Sequence, residues 1–407
     1  MVKNHLAITR RALAAGTAAL ATGARFVPAA AQGAPIKIGD LNSYARWAAF
    51  AVPYRNGWQL ALEQINAAGG VPGRQLAVAS RDDGGTPTDA LRAAEDLVTR
   101  EDCTVLMGTF LSNISLAVAD FAKQRKTVFV PVLSATDALS LAGGNRYTFH
   151  FRANVYMYAN MLVQEAAKTS GKRWAIVAPN YEYGQSAATA FKRLMTERMP
   201  GSTVVAEQYP PLGKVDVGSI ANVLEEAKPD GMMIALFGAD LAQFVRGGQQ
   251  RGLFENRAVF SIASGYPEYL LPMGDAPPVG WTTEGYPWEE ITIPSHKAFV
   301  ASYKAKYGEG PGAFSMMGFV ALNLVKDAIQ KAGGTQPEAL VAAMKGMSFD
   351  SIVGRLGIRA LDNKVTMGSW VGKIALRGNV GALVDWSYKD GADYLIPEAD
   401  VKAARHE

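Results

Sequence analysis

The chain has 407 residues, of which 49% are apolar and 19% charged, with 41 glycines, 20 prolines and no low-complexity tract. This is the composition of a globular protein, and it excludes a disordered chain, collagen and a coiled coil. Because single hydrophobic cores seldom grow beyond roughly 250–300 residues, the length predicts two domains.

The formal net charge of +4 is carried by residues 1–31, which hold Lys3, Arg10, Arg11 and Arg25 and no acid. The remaining chain balances 37 basic residues against 37 acidic ones. Proteins that bind nucleic acid cluster lysine and arginine to replace phosphate counterions, and no such cluster follows residue 31. We therefore expect no nucleic-acid partner.

Residues 1–31 predict an export signal. Arg10 and Arg11 precede an Ala/Leu-rich stretch that runs to about Ala24, and small residues at 29–31 supply a cleavage point. The apolar stretch is roughly a dozen residues long, whereas a bilayer span needs about 20. The paired arginines resemble a twin-arginine signal, and a Sec leader that carries two arginines is the alternative. We expect cleavage near Ala31 and a periplasmic mature chain.

The sequence predicts neither a metal centre nor a cofactor. Cys103, the single cysteine, precedes the apolar stretch 104–107 and is interpreted as a buried small hydrophobic residue. His150, His296 and His406 lie far apart, without the ligand spacings of a zinc site. Nucleotide-binding glycine loops, nucleophile elbows and zinc-protease motifs are also missing. We therefore predict no catalytic residues and a protein that is not an enzyme.

Short apolar runs alternate with helical patterns along the chain, which is typical of parallel α/β architecture. Strand-like runs lie at 36–38, 76–78, 104–107 and 127–130 and recur at 174–177, 203–205, 231–234 and 258–260. Matching runs start 127–138 residues apart. The chain is therefore predicted to form two similar lobes, each built on a doubly wound parallel sheet.

Helix signals lie between these strands. Apolar residues at 58, 61, 62 and 65 form one stripe, and Thr86, Pro87 and Asp89 have the spacing of a helix start. Asp89 is therefore predicted to be structural. The pair Asp82-Asp83 could suggest acid/base carboxylates, but a solvated turn is the preferred interpretation because adjacent side chains at a strand end point apart.

After about residue 280 the pattern changes to helices at 294–307, 316–332 and 337–347, followed by strands at 353–359 and 370–376. We assign residues 36–153 and 282–361 to lobe 1, and residues 154–281 and 362–407 to lobe 2. The chain then crosses between the lobes three times, near 153, 281 and 362. Such crossings form a hinge that can close on a ligand.

Candidate binding residues follow the strands of lobe 1, because open α/β sheets bind ligands at the carboxyl ends of their strands. Ser112 lies in the loop 108–113 at a predicted helix start, which favours an anion. Ser134 and Thr136 follow the fourth strand in the same manner. Each motif alone could be a helix cap, but together they predict a carboxylate-binding wall.

Aromatic residues follow the facing strands of lobe 2. Tyr183 comes after the strand at 174–177, and Phe237 comes after the strand at 231–234. The alternative is that both rings pack beneath loops. A third aromatic set, at 44, 47, 50 and 54, follows the first strand. Phe110 and Ala135 lie within the two hydroxyl-bearing loops and complete the predicted wall of the pocket.

Residues 65–73 read Ile-Asn-Ala-Ala-Gly-Gly-Val-Pro-Gly, and further distinctive segments lie at 36–39, 82–83, 183–185, 249–253 and 298–308. These segments, in this order along the chain, resemble the leucine/isoleucine/valine-binding family of periplasmic substrate-binding proteins, and residues 65–73 are the most specific match. The resemblance covers almost all of the chain after the leader. It implies a type I two-lobed protein that captures a small organic carboxylate as a monomer and delivers it to an ABC permease in the inner membrane.

The resemblance also implies site residues. In such proteins the carboxylate is held by hydroxyls at the positions of Ser112, Ser134 and Thr136, and a facing tyrosine matches Tyr183. Phe50, Phe237 and Phe314 fall where the family places the aromatic walls of its pocket.

Two departures from the family bear on the ligand. The usual Pro-Leu-Thr-Gly after the first strand is replaced by residues 41–47, a bulkier stretch that includes Arg46 and Trp47. The acid that pairs with an amino acid's ammonium is missing from residues 260–267, and Glu268 would serve only if the loop shifts. A buried ammonium without a partner is costly. This raises an aromatic or aliphatic carboxylate as a candidate ligand, in addition to branched-chain or aromatic amino acids. Alternatives are a ligand-sensing subunit for amides or other solutes and, more remotely, an exported enzyme.

Overall fold

The computed structural model describes residues 33–71 and 73–405. The predicted export signal at 1–31, Pro72 and His406 lie outside the described residues. The first sheet contains four strands: β1 (Ile36–Asn42), β2 (Leu76–Asp82), β3 (Val105–Gly108) and β4 (Val128–Pro131). They run parallel in the order β2-β1-β3-β4. The sheet reverses its winding between β1 and β3, which marks the ligand-binding end of such sheets.

The second sheet begins with five parallel strands: β5 (Arg173–Val177), β6 (Thr203–Gln208), β7 (Gly231–Ile234), β8 (Ala258–Gly265) and β9 (Thr282–Gly285). Three short strands form a small antiparallel sheet: β10 (Ser348–Ser351), β11 (Gly354–Arg359) and β12 (Lys364–Val365). The last two strands are β13 (Ser369–Arg377) and β14 (Val380–Lys389). They complete the second sheet in the order β14-β13-β9-β8-β7-β5-β6. The order β6-β5-β7-β8 repeats that of the first sheet, as the two predicted lobes require.

Both later lobe boundaries were placed too early. Thr282–Gly285 is β9, which pairs with β8 and β13 in the second sheet, so the chain returns to lobe 1 only after Gly285. Lys364–Val365 is β12, which pairs with β11, so the chain leaves lobe 1 only after Val365. Each boundary therefore moves four residues along the chain, because the backbone groups of each short strand are hydrogen-bonded to strands of the lobe that the chain is leaving.

Helices connect the strands and flank both sheets. Their bounds are α1 (Ala48–Ala67), α2 (Pro87–Thr99), α3 (Ser112–Arg125), α4 (Val155–Ala166), α5 (Glu182–Arg198), α6 (Val217–Ala227), α7 (Gly238–Gln250), α8 (Pro267–Met273), α9 (Pro294–Tyr307), α10 (Ala313–Ala332), α11 (Pro337–Met344) and α12 (Glu398–Ala404). Single 3-10 turns lie at Asp137–Leu139 and Gly391–Tyr394.

Local signals were correct where they involved neighbouring residues. Thr86 caps α2: its hydroxyl accepts a bond from the Asp89 backbone N–H (3.2 Å) and donates to the Asp89 carboxylate (2.8 Å). Cys103 is buried as predicted. The solvated turn at Asp82-Asp83 was wrong for Asp83, which is fully buried and accepts bonds from the Ser43 hydroxyl (2.6 Å) and the Gly85 N–H (2.9 Å).

Helices α1 and α10 pack closely and hold the lobe 1 side of the cleft. The contact depends on two glycines, since a Cβ at Gly57 would lie 1.9 Å from the Ser315 carbonyl oxygen and one at Gly318 would lie 2.2 Å from that of Tyr54. No side chain fits in those positions without separating the helices. This packing fixes the first turns of both helices, from which Phe50 and Phe314 project.

The first and third crossings are joined at a buried lysine. The Nζ atom of Lys364 donates to the carbonyls of His150 (3.1 Å), Phe151 (3.3 Å) and Arg152 (2.5 Å) and to that of its neighbour Val365 (2.9 Å). The backbone N–H of Val365 also donates to the His150 carbonyl. The backbone that leads out of lobe 1 at Arg152 is therefore held firmly.

Candidate functional site

A small cavity lies between the lobes at the carboxyl ends of the strands. Lobe 1 contributes Phe110, Ser112, Leu133, Ala135 and Arg152, and lobe 2 contributes Tyr181, Tyr183, Phe237, Ile262, Ala263 and Tyr269. These residues follow β3, β4, β5, β7 or lie in β8, except for Arg152 at the first crossing and Tyr269 in α8. The free space inside is about 20 Å³, roughly enough for one water molecule.

Nine rings surround this cavity and are called here the aromatic cluster. Its members are Trp47, Phe50, Phe110 and Phe314 from lobe 1 and Tyr181, Tyr183, Phe237, Tyr266 and Tyr269 from lobe 2. Phe110 approaches Phe237 (5.7 Å between ring centres) and Phe50 approaches Tyr269 (5.3 Å), so rings of the two lobes touch. Such pairs add about 0.5–1.5 kcal/mol each beyond the area they bury.

The predicted wall residues divide into two groups. Phe110, Ala135, Tyr183 and Phe237 line the cavity directly. Phe50 and Phe314 belong to the aromatic cluster behind the lining: Phe50 stacks on Phe110 (5.0 Å), and Phe314 meets the same ring edge-on (6.1 Å).

Trp47 belongs to the bulky segment that replaces the family's usual loop after β1. It is the residue before α1, it is half-buried, and its indole contacts Phe110 (5.8 Å) on its own lobe and Phe237 (5.5 Å) on the other. Its indole N–H is buried and has no hydrogen-bond partner among the described residues. The side chain therefore covers the cluster from the outside.

The three predicted hydroxyls occupy different environments. Ser112 is buried in the first turn of α3, lines the cavity and lies beside the Tyr181 hydroxyl. The Ser134 hydroxyl is buried outside the lining and has no hydrogen-bond partner within 33–71 and 73–405. Thr136 also lies outside the lining: its hydroxyl donates to Glu182 (2.6 Å) and accepts from the Ala138 N–H (3.1 Å).

Glu268 does not line the cavity with the other predicted residues. Its carboxylate accepts bonds from the backbone N–H groups of Ala313 (3.0 Å) and Phe314 (2.8 Å), at the start of α10. Burial raises the pKa of Glu268, and these N–H donors oppose that rise. The side chain predicted to meet an ammonium thus caps a helix of the other lobe.

Two carboxylates of lobe 2 consequently bind lobe 1, and we call them the inter-lobe bridges: Glu182 to Thr136, and Glu268 to the α10 N-terminus. Asp137 reinforces the first bridge, since its carboxylate accepts bonds from the Ser186 hydroxyl (3.2 Å) and the Tyr156 N–H (2.9 Å) of lobe 2. Burial raises the pKa of Asp137 to about 7.

Arg152 is the site residue that the sequence analysis missed. It is 5% exposed and is the only charged side chain in the lining of the cavity as the structure describes it. Its guanidinium donates to the Leu133 carbonyl (2.8 Å) and to the Tyr158 hydroxyl (3.2 and 3.4 Å). An arginine within the aromatic-rich stretch 147–153, directly before the predicted first crossing, was the available signal.

Glu284, on β9, is a second buried charge that was missed. One carboxylate oxygen accepts from the N–H of Ala263 (3.0 Å), a lining residue, and the other is buried without a partner in the described part of the chain. Burial raises the pKa of Glu284 to about 8, while Arg152 lowers it. Ala263 itself has a φ of +57°, a backbone conformation that costs energy for a residue with a Cβ.

A larger groove of about 640 Å³ lies beside α8 and also touches both lobes. Its charged lining residues are four acids and one arginine: Glu268, Glu289, Glu290, Glu309 and Arg377. Arg377 already pairs with Glu290. An anion would be repelled there, so the candidate carboxylate site is the smaller cavity, whose arginine has no ion-pair partner among the described residues.

Neither a membrane span nor a metal cluster emerges from the described residues. None of the helices within 33–71 and 73–405 combines the length and apolar character needed to cross a bilayer. No group of three or more His, Cys, Asp or Glu side chains in the same residues is arranged to hold a metal ion.

Comparison with known proteins gives a consistent picture. A Leu/Ile/Val-binding protein homolog from Brucella suis is 25% identical over 353 residues, covering 82% of this chain and 86% of its own. A solute-binding protein of an ABC transporter from Rhodopseudomonas palustris, solved with 3,4-dihydroxybenzoic acid, superposes with a TM-score of 0.79 at 24% identity, covering 88% and 98% of the two chains.

A branched-chain amino acid transporter substrate-binding protein from Streptococcus pneumoniae, solved with isoleucine, gives a TM-score of 0.74 at 18% identity, covering 88% of this chain and 99% of its own. The profile of the periplasmic binding protein family matches residues 35–379, which include the first sheet, every strand of the second sheet except β14, and every residue that lines the cavity. The chain therefore belongs to the periplasmic binding protein family.

Proposed function

We propose that this protein is the extracytoplasmic solute-binding component of an ABC importer and that its lobes close on a small apolar carboxylate. The observation that carries the proposal is the cavity itself, in which strand ends of both lobes meet around aromatic rings, the Ser112 hydroxyl and an arginine that has no ion-pair partner among the described residues. No bond is made or broken in this function. Export through the signal at 1–31, a monomeric state and delivery to an inner-membrane permease belong to the same proposal.

Ligand entry requires the lobes to part. A cavity that holds benzene has a volume on the order of 150 Å³, whereas the free space here is about 20 Å³. The three crossings supply the hinge for opening. Opening would separate the ring pairs between the lobes and the two inter-lobe bridges, and the ligand would then take the space between the rings.

An aromatic carboxylate is the ligand class that fits the lining best. Rings favour a flat apolar body, and the lining contains a cation but no acid among its described residues. In agreement with this, solute-binding proteins of R. palustris have been solved with 3,4-dihydroxybenzoic acid, 4-hydroxybenzoate and benzoate.

Amino acids form the second candidate class, and Glu284 is the observation in its favour. Its unpaired carboxylate oxygen lies behind Ala263 in the cavity wall and would meet the ammonium in place of Glu268. A relative from Pseudomonas aeruginosa that is 25% identical over 311 residues is named a leucine-, isoleucine-, valine-, threonine- and alanine-binding protein.

A thermal-shift screen tests the function. The purified protein is unfolded and refolded to remove carried-over ligand, then heated with benzoate, 4-hydroxybenzoate, phenylalanine, leucine and benzamide. A ligand that binds only the folded protein raises the melting temperature according to RT ln(1 + [L]/Kd). Shifts with benzoates alone support the aromatic-acid proposal, shifts with the amino acids alone support the Glu284 alternative, and no shift with any carboxylate contradicts the proposed function.

A further inference from the structure

We propose that Arg152 is the residue that selects an anionic ligand, by pairing its guanidinium with the ligand's carboxylate, and that the hydroxyls contribute less. This inference rests on the proposed function and deepens it. It differs from the expectation drawn from the family resemblance, in which Ser112, Ser134 and Thr136 hold the carboxylate.

The first argument is the charge balance of the site. Arg152 forms no ion pair with any carboxylate that the structure describes, although it is buried. Its three hydrogen bonds go to neutral oxygens, those of Leu133 and Tyr158. Taking a guanidinium out of water without an anion is costly. Glu268 and Glu284 feel its charge but lie beyond ion-pair distance. A carboxylate that enters the cavity and pairs directly with the guanidinium would offset that cost.

The second argument is the number of donors left over. A guanidinium carries five N–H groups. Arg152 uses three of them in hydrogen bonds: the Nε N–H and one Nη2 N–H donate to the Tyr158 hydroxyl, and one Nη1 N–H donates to the Leu133 carbonyl. One N–H on each terminal nitrogen therefore has no acceptor among the residues that the structure describes. Two such donors in one plane match the two oxygens of a carboxylate, which is the geometry in which arginine binds anions most strongly.

The third argument is that the side chain is already oriented. Its backbone carbonyl is bound by the Lys364 ammonium (2.5 Å), and the Phe314 ring lies under the guanidinium (5.7 Å). The Tyr158 hydroxyl that accepts two of its bonds is itself paired with the Tyr266 hydroxyl (3.0 Å). A donor pair held in this way loses little conformational freedom when it binds a ligand.

The remaining predicted hydroxyls are less suited to the role. Thr136 already donates to Glu182, and Ser134 lies outside the lining of the cavity. Ser112 is the one predicted hydroxyl that lines it, and a single neutral donor does not distinguish a carboxylate from an amide of the same shape. The discrimination between benzoate and benzamide therefore isolates the contribution of Arg152.

The test compares the affinities for benzoate and benzamide, measured by isothermal titration calorimetry on the unaltered protein, R152Q, R152K and R257Q. Arg257 is the matched control, because it also donates to backbone carbonyls, those of Leu253 and Pro229, but lies outside the cavity. We expect the unaltered protein and R257Q to prefer benzoate, R152Q to reduce the benzoate-to-benzamide ratio by roughly ten- to a hundredfold, and R152K to reduce it less.

An unchanged ratio in R152Q overturns the assignment of Arg152 while leaving the proposed function intact. A protein that binds neither benzoate nor another carboxylate of the screen overturns the proposed function itself. If R152Q does not fold, a crystal structure of the benzoate complex decides: carboxylate oxygens within hydrogen-bond distance of the guanidinium support the inference, and a carboxylate bound elsewhere refutes it.

Discussion

The inter-lobe bridge at Glu268 offers a direct test of how closure is stabilised. The carboxylate extends from α8 in lobe 2 and accepts two backbone N–H bonds, 3.0 and 2.8 Å long, from the first turn of α10 in lobe 1. These bonds exist only when the lobes are together. The substitution E268Q preserves the size of the side chain but replaces one acceptor oxygen with an NH2 group that cannot accept a bond from an N–H.

The magnitude follows from the lost contacts. A hydrogen bond to a charged acceptor contributes about 1.5–3 kcal/mol, and a negative charge at a helix N-terminus contributes about 0.3–1 kcal/mol. Because the amide oxygen retains one bond and water replaces the other in the open protein, we expect a net loss of about 2 kcal/mol from the closed state. That loss lowers the closed-to-open ratio roughly 30-fold. If the ligand-free protein is mainly open, the Kd for the ligand rises by the same factor.

The assay is calorimetric titration of the ligand found in the screen, with tryptophan fluorescence, to which Trp47 in the cleft contributes, and small-angle scattering as reports of closure. E95Q serves as the matched control, because Glu95 pairs with Arg125 within lobe 1 and takes no part in the cleft. The affinity of E268Q should fall, while the melting temperature of the ligand-free protein stays close to that of E95Q. Unchanged affinity, or a loss of stability without a loss of affinity, would refute the role of the bridge in closure.

Three further predictions concern the other bridge, its pH dependence and the α1–α10 contact. T136V, which removes the bond to Glu182, should weaken the binding of benzoate and of benzamide equally, about tenfold. A loss confined to benzoate would indicate that Thr136 binds the ligand's carboxylate directly. Because burial raises the pKa of Asp137 to about 7, the free energy of unfolding should fall as pH rises from about 4 to 7. Urea titrations of D137N should lack this pH-dependent fall. Identical pH profiles of unfolding free energy for D137N and the unaltered protein would contradict the prediction. G318A should cost about 1–3 kcal/mol in urea unfolding, whereas G334A, where a Cβ meets nothing, should cost far less; equal effects would argue against close packing.

Sequence patterns located most of the regular structure. The helix predicted at 294–307 was found with those bounds, and all ten predicted strands are present. Apolar periodicity and capping residues report on neighbours in the chain, so they work at this level. The missed boundaries involve β9 and β12, of four and two residues, which carry too few side chains to show a period.

The site was predicted less completely, since its chemistry depends on contacts between the lobes. Phe110 and Phe237 follow strands of different lobes. The rule that open α/β sheets bind ligands at the carboxyl ends of their strands was sufficient to predict that both line the cavity. Thr136 was chosen as a hydroxyl at a strand end, and Glu268 as the acid nearest to the family's missing ammonium partner, but a sequence does not show that the other lobe supplies their partners. Arg152 was missed because it lies at a crossing, outside both strand ends, where no motif marks it.

The distribution of charge connects closure with ligand choice. The two acids of lobe 2 that reach lobe 1, Glu182 and Glu268, bind a hydroxyl and two backbone N–H groups outside the cavity. The cation Arg152 lines the cavity and forms no ion pair with any described carboxylate. Closure alone therefore gives Glu182 and Glu268 their hydrogen-bond donors, but Arg152 gains an ion-pair partner only when a ligand brings a negative charge. On the inference that Arg152 pairs with the carboxylate, closing on an anion adds an ion pair to the bridges and the ring contacts between the lobes, whereas closing on an amide or on nothing adds no ion pair. The lobes would then close most fully on the solutes that the site selects.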